Sequence, residues 1–281
     1  MAGAARAMEA LKPPLKWAGG KRWLVPRLAS VWSAQGSRRL VEPFCGGLAV
    51  CLGLAPHKAL VNDINPHSIN FFRCLKDGLL IDLVMENDRE LYYAHRERFN
   101  ALIASGRPDG TEAASLFYYL NRTGYNGLCR FNRKGLFNVP FGRYKSIRYQ
   151  RDFGAYRRTL SRWELQHGDY ADLHLRKSDF VYADPPYDVE FTSYSAHRFD
   201  WAEQVRLARW LSRHRGPVVL SNQATDRIIT LYRELGFELR YTFAPRYISR
   251  DGNRTPAVEV LALRNLAACA VPDTFEHRPH R

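Results

Sequence analysis

Phe180-Val181-Tyr182-Ala183-Asp184-Pro185-Pro186-Tyr187 is the stretch that decides the fold. Its first four residues form an uninterrupted apolar run, which is typical of a buried strand. The following tetrapeptide therefore lies at the carboxyl end of a strand, where open α/β sheets bind their ligands. Two consecutive prolines fix two φ angles and remove two backbone donors, so we expect a stiff loop whose carbonyls stay free.

The tetrapeptide combines a carboxylate, a free carbonyl and an aromatic face, which together suit an exocyclic amine on a flat ring. Asp184 and the Pro185 carbonyl can each accept one N–H of that amine, while Tyr187 stacks on the ring. The alternative is a strand that merely ends in a proline turn with a buried tyrosine, because short motifs recur by chance. The predicted catalytic residues are Asp184, Pro185, Pro186 and Tyr187.

Strands and helices alternate on both sides of this stretch. The predicted strands are 40–44, 59–63, 163–167, 179–183, 216–221, 238–243 and 258–263. The predicted helices are 68–76, 82–104, 112–121, 151–162, 200–214 and 224–235, with a further apolar helix that ends at Ala55. A loop rather than a helix separates the last two strands, which favours an antiparallel hairpin there.

The alternation stops after the second strand and resumes near residue 150, which indicates an insertion. We predict an α/β fold, with a Rossmann-like sheet interrupted by a mostly helical domain that carries a β-hairpin. The predicted boundaries are 11–65 and 150–265 for a discontinuous catalytic domain, 66–149 for the inserted domain, and 266–281 for a flexible tail. A length of 281 residues accommodates this arrangement.

The charge of the chain favours a polyanionic partner. Its formal net charge is +14. Eleven basic residues lie within 121–162 against a single acid, Asp152, which gives this segment a net charge of +10. Aromatic residues and glycines interleave the segment, as expected where a backbone follows phosphates and rings meet bases. Ordinary solubilising charge is the alternative, but it rarely concentrates one sign so strongly, and nucleic acid is the predicted partner.

The cysteines and the hydropathy pattern restrict the cellular setting. The chain has five cysteines and no C-x-x-C pair, which argues against a disulfide framework and against a zinc site. We therefore expect no metal. Residues 1–15 lack a continuous apolar region, so no signal peptide is predicted. No stretch approaches the length of a membrane span, and a cytoplasmic protein is expected.

A second ligand-binding turn is predicted at Glu42-Pro43-Phe44-Cys45-Gly46-Gly47, between the first strand and its helix. The glycines let a ligand approach the backbone closely, but the G-x-G-x-x-G spacing of dinucleotide sites is absent. Asp63 ends the next strand, where an acid commonly bonds a ribose hydroxyl pair. Together these features favour a binding site for a nucleoside without phosphates, such as S-adenosylmethionine. The alternative is a plain tight turn and an acid at the end of a strand, without a ligand.

At this point the chain resembles the Dam family of DNA adenine-N6 methyltransferases. The resembling segments are 15–21 (LKWAGGK), 41–47, 62–65, 119–145 and 180–187. The most specific is NRTGYNGLCRFNRKGLFNVPFGRYK, which covers 121–145. It lies between the glycine turn and the tetrapeptide, as in the α-type motif order of the D12 class. The resemblance covers the chain from Leu15 to Leu263.

The resemblance implies an S-adenosylmethionine-dependent methyltransferase sheet and assigns the cofactor side. Trp17, Ala18 and Lys21 would close over S-adenosylmethionine. Phe44, Gly46 and Gly47 would line its methionine part. Asp63 would bind the ribose hydroxyls, and Asp169 and Tyr170 would meet the adenine ring. Asp184 would border both the cofactor and the target base.

The resemblance also assigns target recognition in duplex DNA to the inserted domain. Tyr125 would intercalate and Asn126 would fill the space of a flipped-out adenine. Lys16 would contact the first guanine, and Leu128, Arg130 and Pro140 the outer base pairs, with GATC as the expected sequence. The remaining predicted DNA-binding residues are Asn132, Arg133, Arg143 and Lys145.

Two further loops bear on this resemblance. Residues 188–194 form a shorter segment than in enterobacterial-type members, which leaves open which side chain of this loop covers the target base. The basic loop 246–250 is expected to touch phosphates, with a solvated loop as the alternative.

Two other functions stay open at this point. An N4-cytosine methyltransferase usually carries Ser where this chain has Asp184. A DNA-binding regulator without catalysis would not be expected to keep Lys21, Asp63 and Asp184 together. The sequence also leaves open whether a restriction nuclease accompanies the enzyme. It favours a nucleoid-associated protein of a prokaryote or phage, with no obligate protein partner.

Overall fold

The structure, a computed structural model, describes residues 10–36, 38–188, 199–244 and 257–266. Most of the loop 188–194, the basic loop 246–250 and almost all of the predicted tail 266–281 lie outside these ranges. None of the helices in the described ranges is both long and apolar enough to cross a membrane. Cys45, Cys51, Cys74 and Cys129 are unpaired thiols.

A seven-stranded sheet forms the centre of the molecule. Its strands are β1 Leu40–Glu42, β2 Ala59–Asp63, β3 Trp163–His167, β4 Phe180–Ala183, β5 Val218–Gln223, β6 Glu238–Ala244 and β7 Ala257–Arg264. The order is β3-β2-β1-β4-β5-β7-β6. The first five strands pair in parallel, whereas β7 is antiparallel to both β5 and β6. The predicted Rossmann-like α/β sheet and its final antiparallel hairpin are confirmed.

The strand order reverses between β1 and β4, and this reversal positions the site. From β1 the chain moves outward to β2 and β3, then returns to the other side of β1 as β4. The loops that follow β1 and β4 therefore diverge and leave a crevice at the carboxyl ends of the strands. The glycine turn after Glu42 and the tetrapeptide after Ala183 lie on the two sides of that crevice.

Eight α-helices lie in the described ranges. They are α1 Val25–Ser33, α2 Ala49–Leu54, α3 Pro66–Asp77, α4 Arg89–Ala104, α5 Thr111–Thr123, α6 Gly154–Leu160, α7 Trp201–Ser212 and α8 Asp226–Glu234. Three short 3-10 turns cover Arg22–Leu24, Tyr125–Gly127 and Tyr170–Asp172.

Two predicted helices begin at least three residues later in the structure, each for a local reason. The helix predicted over 82–104 begins at Arg89, because the Asp88 carboxylate accepts a hydrogen bond from the Leu91 amide at 2.8 Å and caps the helix. The helix predicted over 151–162 begins at Gly154, whose amide donates to the Asp152 carboxylate at 2.7 Å.

The segment between β2 and β3 is mostly helical, as predicted. α3 packs against α5, α6 and β3, and α4 packs against α5. The Phe71 and Tyr118 rings stack between α3 and α5 with centroids 5.5 Å apart. Apolar residues of these helices and of the sheet form one continuous core, and the predicted domain boundaries at 66 and 149 stay a prediction.

A short β-hairpin follows α5, as predicted. Isolated antiparallel bridges join Gly124 to Phe141 and Phe131 to Phe137. At the turn, the Asn132 side-chain oxygen accepts hydrogen bonds from the amides of Lys134 and Leu136 at 2.9 and 3.1 Å. The exposed tip is Arg133-Lys134-Gly135.

Candidate active site

Asp184 follows β4 directly and is held from two sides. Its Oδ1 accepts a hydrogen bond from the Ser221 hydroxyl of β5 at 2.7 Å. The same oxygen lies 3.2 Å from Nζ of Lys21, a buried residue of the amino-terminal segment. Lys21 also donates to the Gly19 carbonyl at 3.0 Å. One carboxylate oxygen is therefore fixed, and Oδ2 is left for another donor.

The proline loop behaves partly as predicted. The Pro185 carbonyl accepts no hydrogen bond from any residue that the structure describes, which fits the expectation of a free acceptor. The Pro186 carbonyl is not free, because it accepts a hydrogen bond from Gln204 Nε2 at 2.8 Å. Gln204 in turn accepts from Asn222 Nδ2 at 2.9 Å, and Asn222 Oδ1 accepts from the Asp188 amide at 3.3 Å.

Tyr187 completes the tetrapeptide beside the same lysine. Nζ of Lys21 lies 4.5 Å from the centroid of the Tyr187 ring, within cation–π range. The Tyr187 hydroxyl is buried beside the Asp184 and Glu259 carboxyls and lowers the pKa of each.

Four acidic side chains converge at this edge of the sheet. They are Glu42, Asp63, Asp184 and Glu259. Three of these residues are buried, and Asp184 is partly exposed. Burial raises the pKa of the Asp184 carboxyl, although the Lys21 ammonium and the Ser221 hydroxyl oppose the shift. Burial also raises the pKa of Glu42 well above its usual value, and the charges of Asp184 and Asp63 add to that shift. The arrangement favours a positively charged ligand.

Asp63 organises the glycine turn. Its Oδ2 accepts from the Gly46 amide at 2.8 Å, and its Oδ1 accepts from the Asn65 amide at 2.9 Å. Burial raises the pKa of this carboxyl, and these two backbone donors oppose the shift. Each carboxylate oxygen retains a further lone pair for a ligand hydroxyl.

Trp17 explains why the turn contains glycines. A Cβ added at Gly46 would lie 2.5 Å from the indole Nε1, and one added at Gly47 would lie 2.9 Å from the Trp17 Cβ. Gly46 also has a positive φ of 46°. The two glycines therefore admit an indole of this chain, whereas the sequence pattern alone indicated only the approach of a ligand.

An aromatic group lies beside the turn. The Phe44 and Tyr170 rings have centroids 5.3 Å apart, and the buried Tyr170 ring also contacts Trp210. Asp169 pairs with Arg206 at 2.9 Å and caps the following turn through the Ala171 amide at 2.8 Å. The structure thus brings Asp169 and Tyr170 close to Phe44.

The remaining predicted residue on the cofactor side, Ala18, is exposed in the turn after Trp17. Two residues next to Asp63 in the chain were not predicted as part of the site. Asn62 donates to the carbonyls of Pro43 and Gly168, each at 3.0 Å, and joins the loops after β1 and β3. Ile64, directly after Asp63, leaves 55% of its apolar surface exposed.

Lys16 joins the amino-terminal segment to the inserted region. Its backbone amide and carbonyl both bond the Asn121 side chain at 2.8 Å. Its Nζ donates to the Arg122 carbonyl at 2.8 Å and lies 3.7 Å from the Tyr144 ring centroid. Burial and then the Arg122 charge lower the pKa of Lys16 to about 8.

The predicted intercalating turn follows α5 directly. Tyr125 is 51% exposed, an unusual fraction for an aromatic side chain. Asn126 has a left-handed φ of 52°, and Gly127 packs against the aliphatic part of Lys16. Leu128 is half-buried beside them.

The predicted base-contacting arginine lies within the hairpin. Nε and Nη2 of Arg130 donate to the side-chain and backbone oxygens of Asn138 at 2.8 and 3.2 Å. Asn132 forms the turn with its side-chain oxygen, as described above, so that atom is engaged. The other predicted DNA-binding residues are exposed: Arg133, Pro140, Arg143 and Lys145.

Comparison with known proteins agrees with this geometry. A family model described as "D12 class N6 adenine-specific DNA methyltransferase" matches residues 17–243. A DNA adenine methylase of Vibrio cholerae serotype O1 is 37% identical over 270 residues, covering 89% of this chain and 94% of that protein. A type II methyltransferase of Lactococcus lactis is 34% identical, covering 80% of this chain and 85% of that protein. A DNA N-6-adenine-methyltransferase of Escherichia phage P1 is 34% identical, and the chain spans 35% of its length.

Proposed function

Because the chain belongs to the D12 class of N6-adenine-specific DNA methyltransferases, we propose that it methylates a flipped-out adenine within GATC, using S-adenosylmethionine as donor. The family identifies DNA adenine as the target and implies a methyl donor. The family also disfavours the two alternatives of the sequence analysis, N4-cytosine methylation and DNA binding without catalysis. The observation that carries the proposal is the pairing of an anchored Asp184 carboxylate with a free Pro185 carbonyl.

The acidic edge of the sheet fits S-adenosylmethionine. When bound, this group supplies an electrophilic methyl on a positively charged sulfur. Asp63 and Asp184 provide negative charge there, with Lys21 as a neighbouring cation.

The residues proposed to hold the donor surround this edge. Asp63 would accept the ribose hydroxyls with its remaining lone pairs, and Phe44, Gly46 and Gly47 would contact the methionine part. Trp17, Ala18 and Lys21 would cover the donor, and Asp169 and Tyr170 would meet its adenine ring. These assignments are supported by the convergence of the residues around the crevice between β1 and β4.

The tetrapeptide would bind and orient the target amine. One N–H of N6 donates to Asp184 Oδ2 and the other to the Pro185 carbonyl, which favours a pyramidal nitrogen whose lone pair is available for attack. As N6 gains positive charge, the Asp184 carboxylate stabilises it. Alignment of the amine supplies much of the remaining acceleration. After transfer, N6 loses a proton, which the Asp184 carboxylate would accept.

An adenine amine inside a duplex cannot reach this edge, so the base must leave the stack, at a cost of a few kcal/mol. Tyr187 would stack on the extruded ring. The exposed Tyr125 and the left-handed Asn126 would occupy the space that the base leaves. The basic segment 121–162 would bind the phosphates.

GATC recognition is proposed from the hairpin and the amino-terminal segment. Arg130 would contact one outer base pair, with Leu128 and Pro140 beside it, and Lys16 would contact the first guanine. Asn132, Arg133, Arg143 and Lys145 would bind the backbone or flanking positions. An arginine that bonds guanine in a bidentate manner contributes about 1–3 kcal/mol of discrimination.

The proposal is tested by incubating the protein with radiolabelled S-adenosylmethionine and a GATC duplex, then separating the nucleosides. We expect label in N6-methyladenine. DNA from expressing cells should become resistant to nucleases that methylated GATC blocks. Asp184→Ala should abolish transfer and leave DNA affinity largely intact, because it removes a contact made in the transition state.

Three outcomes would contradict this function. Label in N4-methylcytosine would identify the other exocyclic amine as the target. Tight duplex binding without label would indicate a binding protein. Equal methylation of duplexes with and without GATC would contradict only the proposed sequence specificity.

A further inference from the structure

Glu259 is a buried acid in the antiparallel part of the sheet that the proposed chemistry does not use. It lies on β7, opposite Gln223 of β5 and Thr242 of β6, and is 5% exposed. Buried carboxylates are rare unless a partner compensates for the lost hydration. Because β7 pairs with β5 next to β4, Glu259 reaches the edge where Asp184 lies.

Lys21 connects the two carboxylates. Its Nζ lies 3.7 Å from Glu259 Oε1 and 3.2 Å from Asp184 Oδ1. The lysine and the glutamate are both about 95% buried. Two acids therefore share one ammonium group with little access to water.

The Tyr187 hydroxyl belongs to the same cluster. It is buried and lies close enough to the Glu259 and Asp184 carboxyls to lower the pKa of each. Burying an acid nevertheless costs more free energy than burying an apolar side chain of similar size. The glutamate is therefore better explained by its charge than by packing.

The other titratable groups around this cluster are two phenols and a further acid. Burial raises the pKa of Tyr182 on β4 and of Tyr187 well above the usual value for tyrosine, so both stay neutral. Burial also raises the pKa of Glu42 well above its usual value, which favours its neutral form. Across the strands, Thr242 and Gln223 carry no charge, and the Arg27 guanidinium of α1 donates to the Thr242 hydroxyl. Within the described residues, Lys21 is the cation that lies within ion-pair distance of Glu259.

We propose that Glu259 is a positioning residue for methyl transfer, which shares the Lys21 ammonium with Asp184 and thereby keeps net negative charge beside the target amine. This inference rests on the proposed role of Asp184. With both acids ionised, the cluster carries one net negative charge. With Glu259 neutral, Lys21 neutralises Asp184 alone. The nitrogen gains positive charge during the attack, so the ionised state accelerates transfer.

The two states exchange near neutral pH. Burial raises the pKa of Glu259 to about 7, with Lys21 opposing the shift and Asp184 adding to it. Transfer should therefore become faster as the pH rises through neutrality.

The test compares Glu259→Gln with Glu238→Gln, which removes an exposed acid from the same pair of strands. Single-turnover methylation of a GATC duplex at saturating donor is measured from about pH 6 to 8.5. Wild type and Glu238→Gln should accelerate with pH. Glu259→Gln should lack this rise and be slower at pH 8 by about tenfold or more, since a unit charge close to the reacting nitrogen is lost. Duplex affinity should stay within about twofold of wild type, because Glu259 makes no proposed DNA contact.

A second variant provides the test if Glu259→Gln does not fold. Glu259→Asp retains the charge and should keep the rise with pH, with a shifted midpoint. The inference would be overturned if Glu259→Gln had the same rate and pH profile as wild type. An unshifted midpoint in Glu259→Asp would also overturn it, and either result would leave the proposed function intact. An inactive wild type would instead overturn the proposed function.

Discussion

Nζ of Lys21 lies 3.2 Å from Oδ1 of Asp184, so the amino-terminal segment and the end of β4 are joined by one ion pair. Lys21 is buried, and the Ser221 hydroxyl donates a second hydrogen bond to the same oxygen of Asp184. Removing one partner of such a buried pair loses more folding free energy than the intact pair contributes, because the other charge is left without compensation.

Lys21→Met should therefore slow methyl transfer by about 100-fold or more, since the Asp184 carboxyl becomes easier to protonate and loses its negative charge. Single-turnover rates measure the effect. Lys12→Met is the matched control, because Lys12 lies in the same segment but is exposed. Full activity of Lys21→Met would show that the ion pair is dispensable for the chemistry.

Gly46→Ala should destabilise the fold, because the new methyl group would overlap the Trp17 indole at a residue with φ of +46°. We expect a loss of about 2–4 kcal/mol of unfolding free energy, from overpacking together with backbone strain. Urea unfolding at constant pH provides the measurement.

Gly19→Ala is the control for the backbone alone. Gly19 has a φ of +78° but no atom within 4 Å of an added Cβ. It should lose only about 1 kcal/mol, the cost of a left-handed conformation. Equal losses at the two positions would mean that the indole moves aside without penalty.

The sheet could be predicted from the sequence because its central strands are buried on both faces. Such strands appear as apolar runs, and β2, which is buried along its whole length, begins and ends at the predicted residues. Helix starts were harder to predict, since they depend on which polar side chain caps the helix. At Asp88 the cap interrupts a longer pattern that was interpreted as helix.

Some residues of the candidate site could likewise be predicted from the local sequence, and others could not. The tetrapeptide and the glycine turn are contiguous in sequence, so their chemistry is visible locally. Ser221 comes from β5, Gln204 from α7 and Glu259 from β7, and they reach Asp184 or its loop only through the tertiary arrangement of these elements. No local pattern marks these three residues, so none of them was predicted.

Gln204→Glu should lower the transfer rate without weakening DNA binding. The carboxylate would replace the amide that donates to the Pro186 carbonyl and would place two acceptors opposite each other. We expect a loss of about tenfold, since a small misplacement of the tetrapeptide is amplified in the rate. Gln35→Glu, on a distant helix end, serves as control. A parallel loss of duplex affinity would indicate general unfolding instead.

Arg130→Ala should relax discrimination at one outer base pair by about 1–3 kcal/mol. Asn138→Ala leaves the guanidinium in place but removes the side-chain acceptor of its 2.8 Å hydrogen bond, and should cause a smaller loss. Rates on duplexes with single base-pair changes measure both effects. Arg133→Ala, at the exposed tip, should weaken binding to all sequences alike. Unchanged discrimination in Arg130→Ala would reassign this residue to a phosphate contact.

Glu259 should make the stability of the protein decrease with pH. Its folded pKa of about 7 exceeds the ordinary value of 4.5, so the folded state binds more protons than the unfolded state between these values. The stability that the protonated glutamate contributes is therefore fully present below about pH 4.5 and is lost as the pH rises through 7, by at most about 3 kcal/mol. Glu259→Gln cannot ionise, so it should be more stable than wild type at pH 8 and similar near pH 5 in urea unfolding. A variant that is less stable than wild type at pH 8 would show that the carboxylate supports the fold, whereas a slower but more stable variant shows that it is retained for catalysis.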